Sequence, residues 1–129
     1  MEKVTGIGAL FFRSDNDEAI NAWYEKHLGV RRCGETYEQG AWYQEEGPTV
    51  FAADPPTQRS GAATATWRIN FRVRDLDAMA AQLRAAGVEV EVEETVYPYG
   101  RFAHLADPDG NKIDLWEPSA ATLVRPGGV

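Results

Sequence analysis

The chain has 129 residues, 43% hydrophobic and 26% charged, which suits one folded domain or two fused half-size modules and excludes a chain too polar to bury a core. Its formal net charge is −7 and its basic residues are scattered, with only Arg31-Arg32 adjacent, so the basic stripe of a nucleic-acid face is absent. No apolar run approaches the ~20 residues that span a bilayer, and Met1-Glu2-Lys3-Val4 opens straight into a strand-like run with no secretory-type leader, so a cytoplasmic location is expected.

Residues 4–13 are apolar and end at Ser14-Asp15-Asn16, the pattern of a buried strand that runs into a helix cap. Asp15 with Glu18 three residues later predicts a capping box, in which each side chain satisfies an otherwise orphan backbone donor. The helix after it places Ile20, Trp23, Tyr24, His27 and Leu28 on one stripe and stops at Gly29, which tolerates the left-handed conformation of a helix end. His27 on such a stripe reads as a packing residue. Three strand-like stretches come next, 31–37, 41–45 and 49–53, separated by Gly40 and Gly47-Pro48. Cys33, the one cysteine, excludes an internal disulfide and suits a reducing compartment; it reads as a small apolar strand residue, although Arg31-Arg32 beside it would favour a thiolate. Residues 54–65, rich in Pro, Ser, Thr, Gly and Ala, read as a linker.

The same pattern then repeats. Trp67, Ile69, Phe71 and Val73 alternate with Arg68, Asn70, Arg72 and Arg74, the period of a half-buried strand. Asp75 caps a helix with Leu76, Met79, Ala80 and Leu83 on its apolar stripe, and Ala86-Gly87-Val88 ends it as Leu28-Gly29-Val30 ended the first. The glycine stops lie 58 residues apart and the capping aspartates 60, which points to a duplicated module rather than a solenoid. Strands come next at 88–96, 101–106 and 112–117, divided by Pro98-Tyr99-Gly100 and by the strong turn Asp107-Pro108-Asp109-Gly110. The order β-α-β-β-β is therefore written twice, over about 4–53 and 66–118, within one domain at 1–118. Residues 119–129 end in Pro126-Gly127-Gly128 and read as a frayed tail.

Within that frame, the run Tyr99-Gly100-Arg101-Phe102-Ala103-His104-Leu105-Ala106-Asp107-Pro108-Asp109-Gly110-Asn111-Lys112-Ile113-Asp114-Leu115-Trp116-Glu117-Pro118 resembles the vicinal oxygen chelate superfamily of glyoxalases, bleomycin-resistance proteins and extradiol dioxygenases. The resemblance covers residues 4–118. It implies an α+β fold in which two tandem βαβββ modules form a curved, mainly antiparallel cup with helices outside. It also implies a homodimer, and in metal-dependent members four ligands: one on the first strand of each half and a carboxylate on the last strand of each half.

This sequence departs from that ligand set. The first-strand position falls at Gly8 or Ala9, which offer no side-chain donor, and its second-half counterpart, seven residues before Asp75, is Arg68, a permanent cation without a lone pair. Residues 49–53 hold neither carboxylate nor imidazole, and only Asp114 stands where a ligand is expected. No metal or other cofactor is expected, with a shifted site on His104, Asp114 and water as the minority alternative.

Alternation assigns the faces. Ile69, Phe71, Val73, Ala103, Leu105, Ile113 and Leu115 turn to the helices, which leaves Arg68, Asn70, Arg72, Phe102, His104, Lys112, Asp114 and Trp116 on the cup side. Of these, Arg68, Asn70, Phe102, His104, Asp114 and Trp116 form the expected binding set. Aromatic walls with a few polar groups suit a small organic ligand. Arg68 suits a carboxylate or other anion, or pairs with Asp114 and so puts a cation where other members hold a metal. His104 beside Asp114 suits a general base; the plainer alternative is an Arg68–Asp114 pair that ties two strands, with His104 at an exposed rim. Tyr97, Tyr99, Trp42 and Tyr43 fall near the mouth, as core, dimer or ligand contacts. Gly6-Ile7-Gly8 lacks the third glycine and the adjoining helix of a dinucleotide loop, and that reading is rejected. Three functions remain: a metal-free ligand-binding module, a metal-dependent lyase, isomerase or dioxygenase, and a metal-free enzyme with His104 as base.

Overall fold

Asp75 behaves as the sequence requires, and from it the second half can be followed to its end. The computed structural model describes residues 1–32, 40–54 and 67–125. Cys33, most of the strand expected at 31–37, nearly all of the linker and the last four residues lie outside them. Asp75 accepts a hydrogen bond from the Ala78 backbone N–H at 3.0 Å and starts helix α2 (Leu76–Ala85). A second acid secures the same helix start: Glu117 Oε1 accepts from Leu76 N–H at 2.9 Å. The Arg101 guanidinium meets both oxygens of Asp77 at 3.0 and 3.1 Å, a bidentate pair that fixes the helix over the sheet.

The sheet has the order β1-β4-β3-β2, with β1 Ile69–Arg72, β2 Glu91–Val92, β3 Gly100–Ala106 and β4 Lys112–Pro118. β1 runs parallel to β4, the crossover being α2; β4 with β3 and β3 with β2 are antiparallel. This is the βαβββ module expected over 66–118, and the chain is an α+β protein with an open sheet and with α1 and α2 packed in the core on one face. The expected strands at 101–106 and 112–117 are met within one residue. The one at 88–96 contracts to two paired residues, because Val88–Val90 belong to the helix exit and its packing.

One face of the sheet is the core. Leu76 and Leu83 of α2 bury completely against Ile113 and Leu115 of β4, with Ala80, Ala103 and Leu105 filling between them. Helix α1 (Asp17–Leu28) adds Ile20 and Tyr24 to the same cluster. Tyr24 donates to Asp107 Oδ2 at 2.6 Å, a buried link between the first-half helix and the second-half turn. Asp107 organises that turn, accepting from the backbone of Asp109 and Asn111 at 2.9 Å each and from Asn111 Nδ2 at 2.8 Å. Gly110 there takes the positive φ of 85° that the turn needs.

Three details differ from the sequence reading. The cap of α1 is Asn16, without a side-chain bond, so the Asp15–Glu18 capping box does not form; Ser14 instead holds the Asn16 N–H at 3.1 Å and moves the helix start one residue on. The tail begins with a helical turn, α3 (Ala120–Leu123), because Ser119 N–H donates to Tyr99 O at 3.1 Å and Ser119 Oγ to Pro98 O at 2.9 Å. Among the described residues, 4–13, 41–45 and 49–53 join no ladder, so the first module is represented by its helix and by unpaired chain. A strand is held by a neighbour's backbone and by a buried face. Here Phe11 is 91% exposed and Phe51 85%, so neither condition is met.

Candidate functional site

The face of the sheet turned away from the helices is built from alternate residues of all four strands. Register sets them in two cross-strand rows. Asn70, Asp114, His104 and Glu91 stand opposite one another in the first; Arg72, Trp116 and Phe102 form the second. Glu93, whose N–H bonds Phe102 O at 2.9 Å, continues the second row beyond β2. Phe102, His104, Asp114 and Trp116 are thus brought together as expected. Asn70 is exposed beside Asp114, and Arg68 stands just before β1.

The polar groups form one connected line. His104 Nδ1 lies 2.8 Å from Asp114 Oδ1 and its Nε2 lies 2.6 Å from Glu93 Oε2. Asp114 Oδ2 meets Arg68 at 3.5 Å, and Arg68 also holds Asp54 at 3.1 Å. At the other end Tyr97 O–H donates to Glu93 Oε1 at 2.8 Å. Burial of His104 works against its charge, but the hydrogen bonds and negative charges of Asp114 and Glu93 prevail and raise its pKa above the usual imidazole value. Glu93 is held below the usual carboxylate value by the Tyr97 hydroxyl first and by His104 second. A carboxylate on each nitrogen favours the imidazolium, which can donate to both, and the ring acts as a base only after one of those contacts opens.

Beside this line stands an aromatic wall. The Phe102 and Trp116 rings are parallel within 8° at 6.4 Å, Tyr97 and Tyr99 stack at 5.3 Å, and Phe102 meets both tyrosines edge-on. The two-residue hairpin 97–100 presents the tyrosines, and Gly100 permits it: its φ is 135°, and a Cβ there would sit 2.1 Å from Glu117 O. Tyr99 O accepts the Trp116 indole N–H at 3.0 Å and the Thr122 hydroxyl at 3.3 Å, so the C-terminal turn braces the wall.

Sequence reasoning places Tyr97 near the mouth but misses Glu93. Its signal is the alternation Val90-Glu91-Val92-Glu93, which turns two acids to the face opposite the valines. Arg72, assigned to the cup side, is turned to the first half, where its guanidinium donates to Pro48 O and, at 2.6 Å, to Glu45 O. Trp42 meets the core-side ring of Phe71 at 6.3 Å and Tyr43 is exposed, so neither joins the wall. His27 packs on Trp23 at 5.3 Å, as a stripe residue should.

A family-type metal would need donors that these positions do not supply: Gly8 and Ala9 have none, Arg68 is a cation, and both nitrogens of His104 face carboxylates. Among the described residues no group of three or more His, Cys, Asp or Glu is placed to hold a metal ion. Two shallow surface hollows of about 380 Å³ lie elsewhere, one at Arg84 and Gly87–Val90, the other between Arg13–Asp15 and Asp109 with Asn111. Neither is lined by an aromatic ring, and the open sheet face has the better chemistry for an organic ligand.

With this geometry in place, the comparison with known proteins is decisive at the level of family. The model of the glyoxalase, bleomycin resistance protein and dioxygenase superfamily matches residues 6–115. The chain belongs to that superfamily. The protein CFP32 of Mycobacterium bovis, named for a glyoxylase, is 43% identical over 54 residues, which make up 41% of this chain and only 21% of that protein's length. Among solved structures, a glyoxalase/bleomycin resistance protein from Streptomyces sp. CB03234 is 42% identical over 37% of this chain and 41% of its own, with a TM-score of 0.34. TnmS3, an antibiotic binding protein from the same source, is 24% identical over 82% of this chain and 88% of its own, with a TM-score of 0.46. Among the described residues no helix is long and apolar enough to cross a membrane.

Proposed function

We propose that the protein binds a small organic molecule on the open face of its sheet without a metal ion, as a ligand-holding member of its superfamily. The observation that carries this reading is the group of Tyr97, Tyr99 and Phe102 rings, with the buried Trp116 beside Phe102, next to the line Glu93–His104–Asp114–Arg68, in which Asp114 is buried: an apolar platform with few, fixed polar groups. Arg68, Asn70, Phe102, His104, Asp114 and Trp116 are the binding set, with Glu93 and Tyr97 added to it. Catalysis with His104 as base is the weaker reading, because the imidazole has no free lone pair in this arrangement.

The partner in this proposal is a second copy of the chain, and a cytoplasmic location goes with it. Ile7, Leu10, Phe11, Val50 and Phe51 are all more than half exposed on unpaired chain, an apolar area that self-association would cover. Nucleic acid is not a partner of a chain with net charge −7 and no basic stripe.

Elemental analysis of protein expressed with divalent metals present, together with native mass and a small-molecule thermal-shift screen, tests the reading. The expected result is well under one metal per chain, a dimer mass and stabilisation by organic compounds that Phe102→Ala abolishes. One tightly held metal per chain would overturn the metal-free reading.

A further inference from the structure

The line of polar groups already engages Arg68, and Arg72 on the same face is turned to the carbonyls of Glu45 and Pro48. Arg68, the group that would draw an anion, is engaged by Asp54 at 3.1 Å and by Asp114 at 3.5 Å. The line from Asp54 to Glu93 holds three carboxylates against one guanidinium and one imidazolium, and Glu91, in register with His104 on the same face, adds a fourth acid. The surplus charge lies at the Glu93 end. There the carboxylate bonds the Tyr97 hydroxyl at 2.8 Å, and the Tyr97 ring stacks within 12° of Tyr99, which is half exposed. The shelf that can accept a flat molecule is therefore bordered by an acid, and the faces of its rings carry the negative end of the aromatic quadrupole.

We propose that the ligand of this face is a planar aromatic molecule bearing a basic nitrogen, its ring lying on the Tyr97–Tyr99 shelf and its cationic nitrogen at the Glu93 carboxylate. The proposal rests on the reading that the open face binds an organic molecule, and it adds the ligand's charge and the residue that selects it. An anion would have to break both Arg68 pairs and would meet Glu91 and Glu93. A cation replaces the Tyr97 hydroxyl or shares Glu93 with His104, and it brings the line to balance.

Three probes with one ring system separate charge from shape: 9-anthracenylmethylammonium, 9-anthracenemethanol and 9-anthracenecarboxylate, titrated against the full chain at neutral pH by anthracene fluorescence. The ammonium should bind about tenfold tighter than the alcohol, the scale of one charge-assisted hydrogen bond, and the carboxylate more weakly than either. Glu93→Gln should bring the ammonium to the affinity of the alcohol, with a native far-ultraviolet circular dichroism spectrum showing that the variant is folded. Equal affinities, or a preference for the carboxylate, would overturn the charge selection while leaving the binding face intact. No binding by any of the three would overturn both.

Discussion

Helices α1 and α2 both end at a left-handed glycine, which is the cap itself in α1 and follows the cap Ala86 in α2. Gly29 has φ of 69° and Gly87 of 85°, and the chain then folds back, Val30 N–H onto Tyr24 O and Val88 N–H onto Leu83 O. Beyond these stops the two halves diverge. After Gly87 the chain lays β2, β3 and β4 side by side and β1 closes onto β4; after Gly29 the described residues 40–54 join no ladder. Glycine stops and apolar stripes act within a few residues of themselves, so both halves execute them. A ladder needs a second strand at the right register and a buried face, and among the described residues only the second half has both. The lesson is that a repeated sequence pattern repeats its local structure first, while its pairing depends on what covers it.

Mutations sharpen that contrast. Leu115 is fully buried in the completed half, and Leu115→Ala should cost about 3 kcal/mol at any protein concentration, read from the denaturant midpoint. Phe11→Ala, at an exposed position of the first half, should leave monomer stability within about 0.5 kcal/mol and weaken self-association instead. A concentration-independent loss at Phe11 as large as that at Leu115 would abolish the difference between the halves.

The Tyr24–Asp107 bond joins the two halves and should show an intermediate effect. Burial first, then the hydrogen bond and charge of Asp107, raise the Tyr24 phenol well above its ordinary value, so it remains a donor throughout the stable range. Tyr24→Phe removes one donor and leaves Asp107 its Asn111 contacts, so a loss of about 1 kcal/mol is expected. The same variant should hasten hydrogen exchange in α1 more than in β4.

The smallest effect is that of pH. His104 is raised in the folded chain, so its contribution is complete below the ordinary imidazole pKa and is lost as pH rises through the raised value. Glu93 is lowered, so its contribution is present above the ordinary carboxylate pKa and is lost as pH falls through the lowered value. The stability gap between the native chain and His104→Gln should therefore be widest near pH ~6 and shrink toward pH ~9. It should stay under about 1 kcal/mol, since the partly exposed ring is screened by solvent. A gap that grows with pH would contradict the double ion pair.

Much of the second half is legible in the sequence because its signals are local or strictly periodic. Asp75, Gly87 and Gly110 each do what their residue type implies, and the period of two sends Phe102, His104, Asp114 and Trp116 to one face. The sequence leaves the Arg68–Asp114 pair as one of two alternatives, because reach across strands is visible only with register. Glu93 is hidden for the same reason: its partner His104 sits diagonally across β2 and β3, a relation no single strand encodes. Sequence alone puts the cap of α1 one residue early because Ser14, Asp15 and Asn16 all suit a helix start, and hydrogen-bond geometry chooses among them.

The central claim is that a ligand lies on the open sheet face. The chain has four tryptophans, and the indole N–H of Trp116 donates to Tyr99 O within the aromatic wall, whereas Trp23 packs on the helix side. Indole resonances in a proton–nitrogen NMR spectrum, followed as a thermal-shift hit is titrated in, test this directly. The account predicts that the Trp116 signal moves with saturation while that of Trp23 stays in place. Saturable binding that moves Trp23 and leaves Trp116 untouched would contradict it.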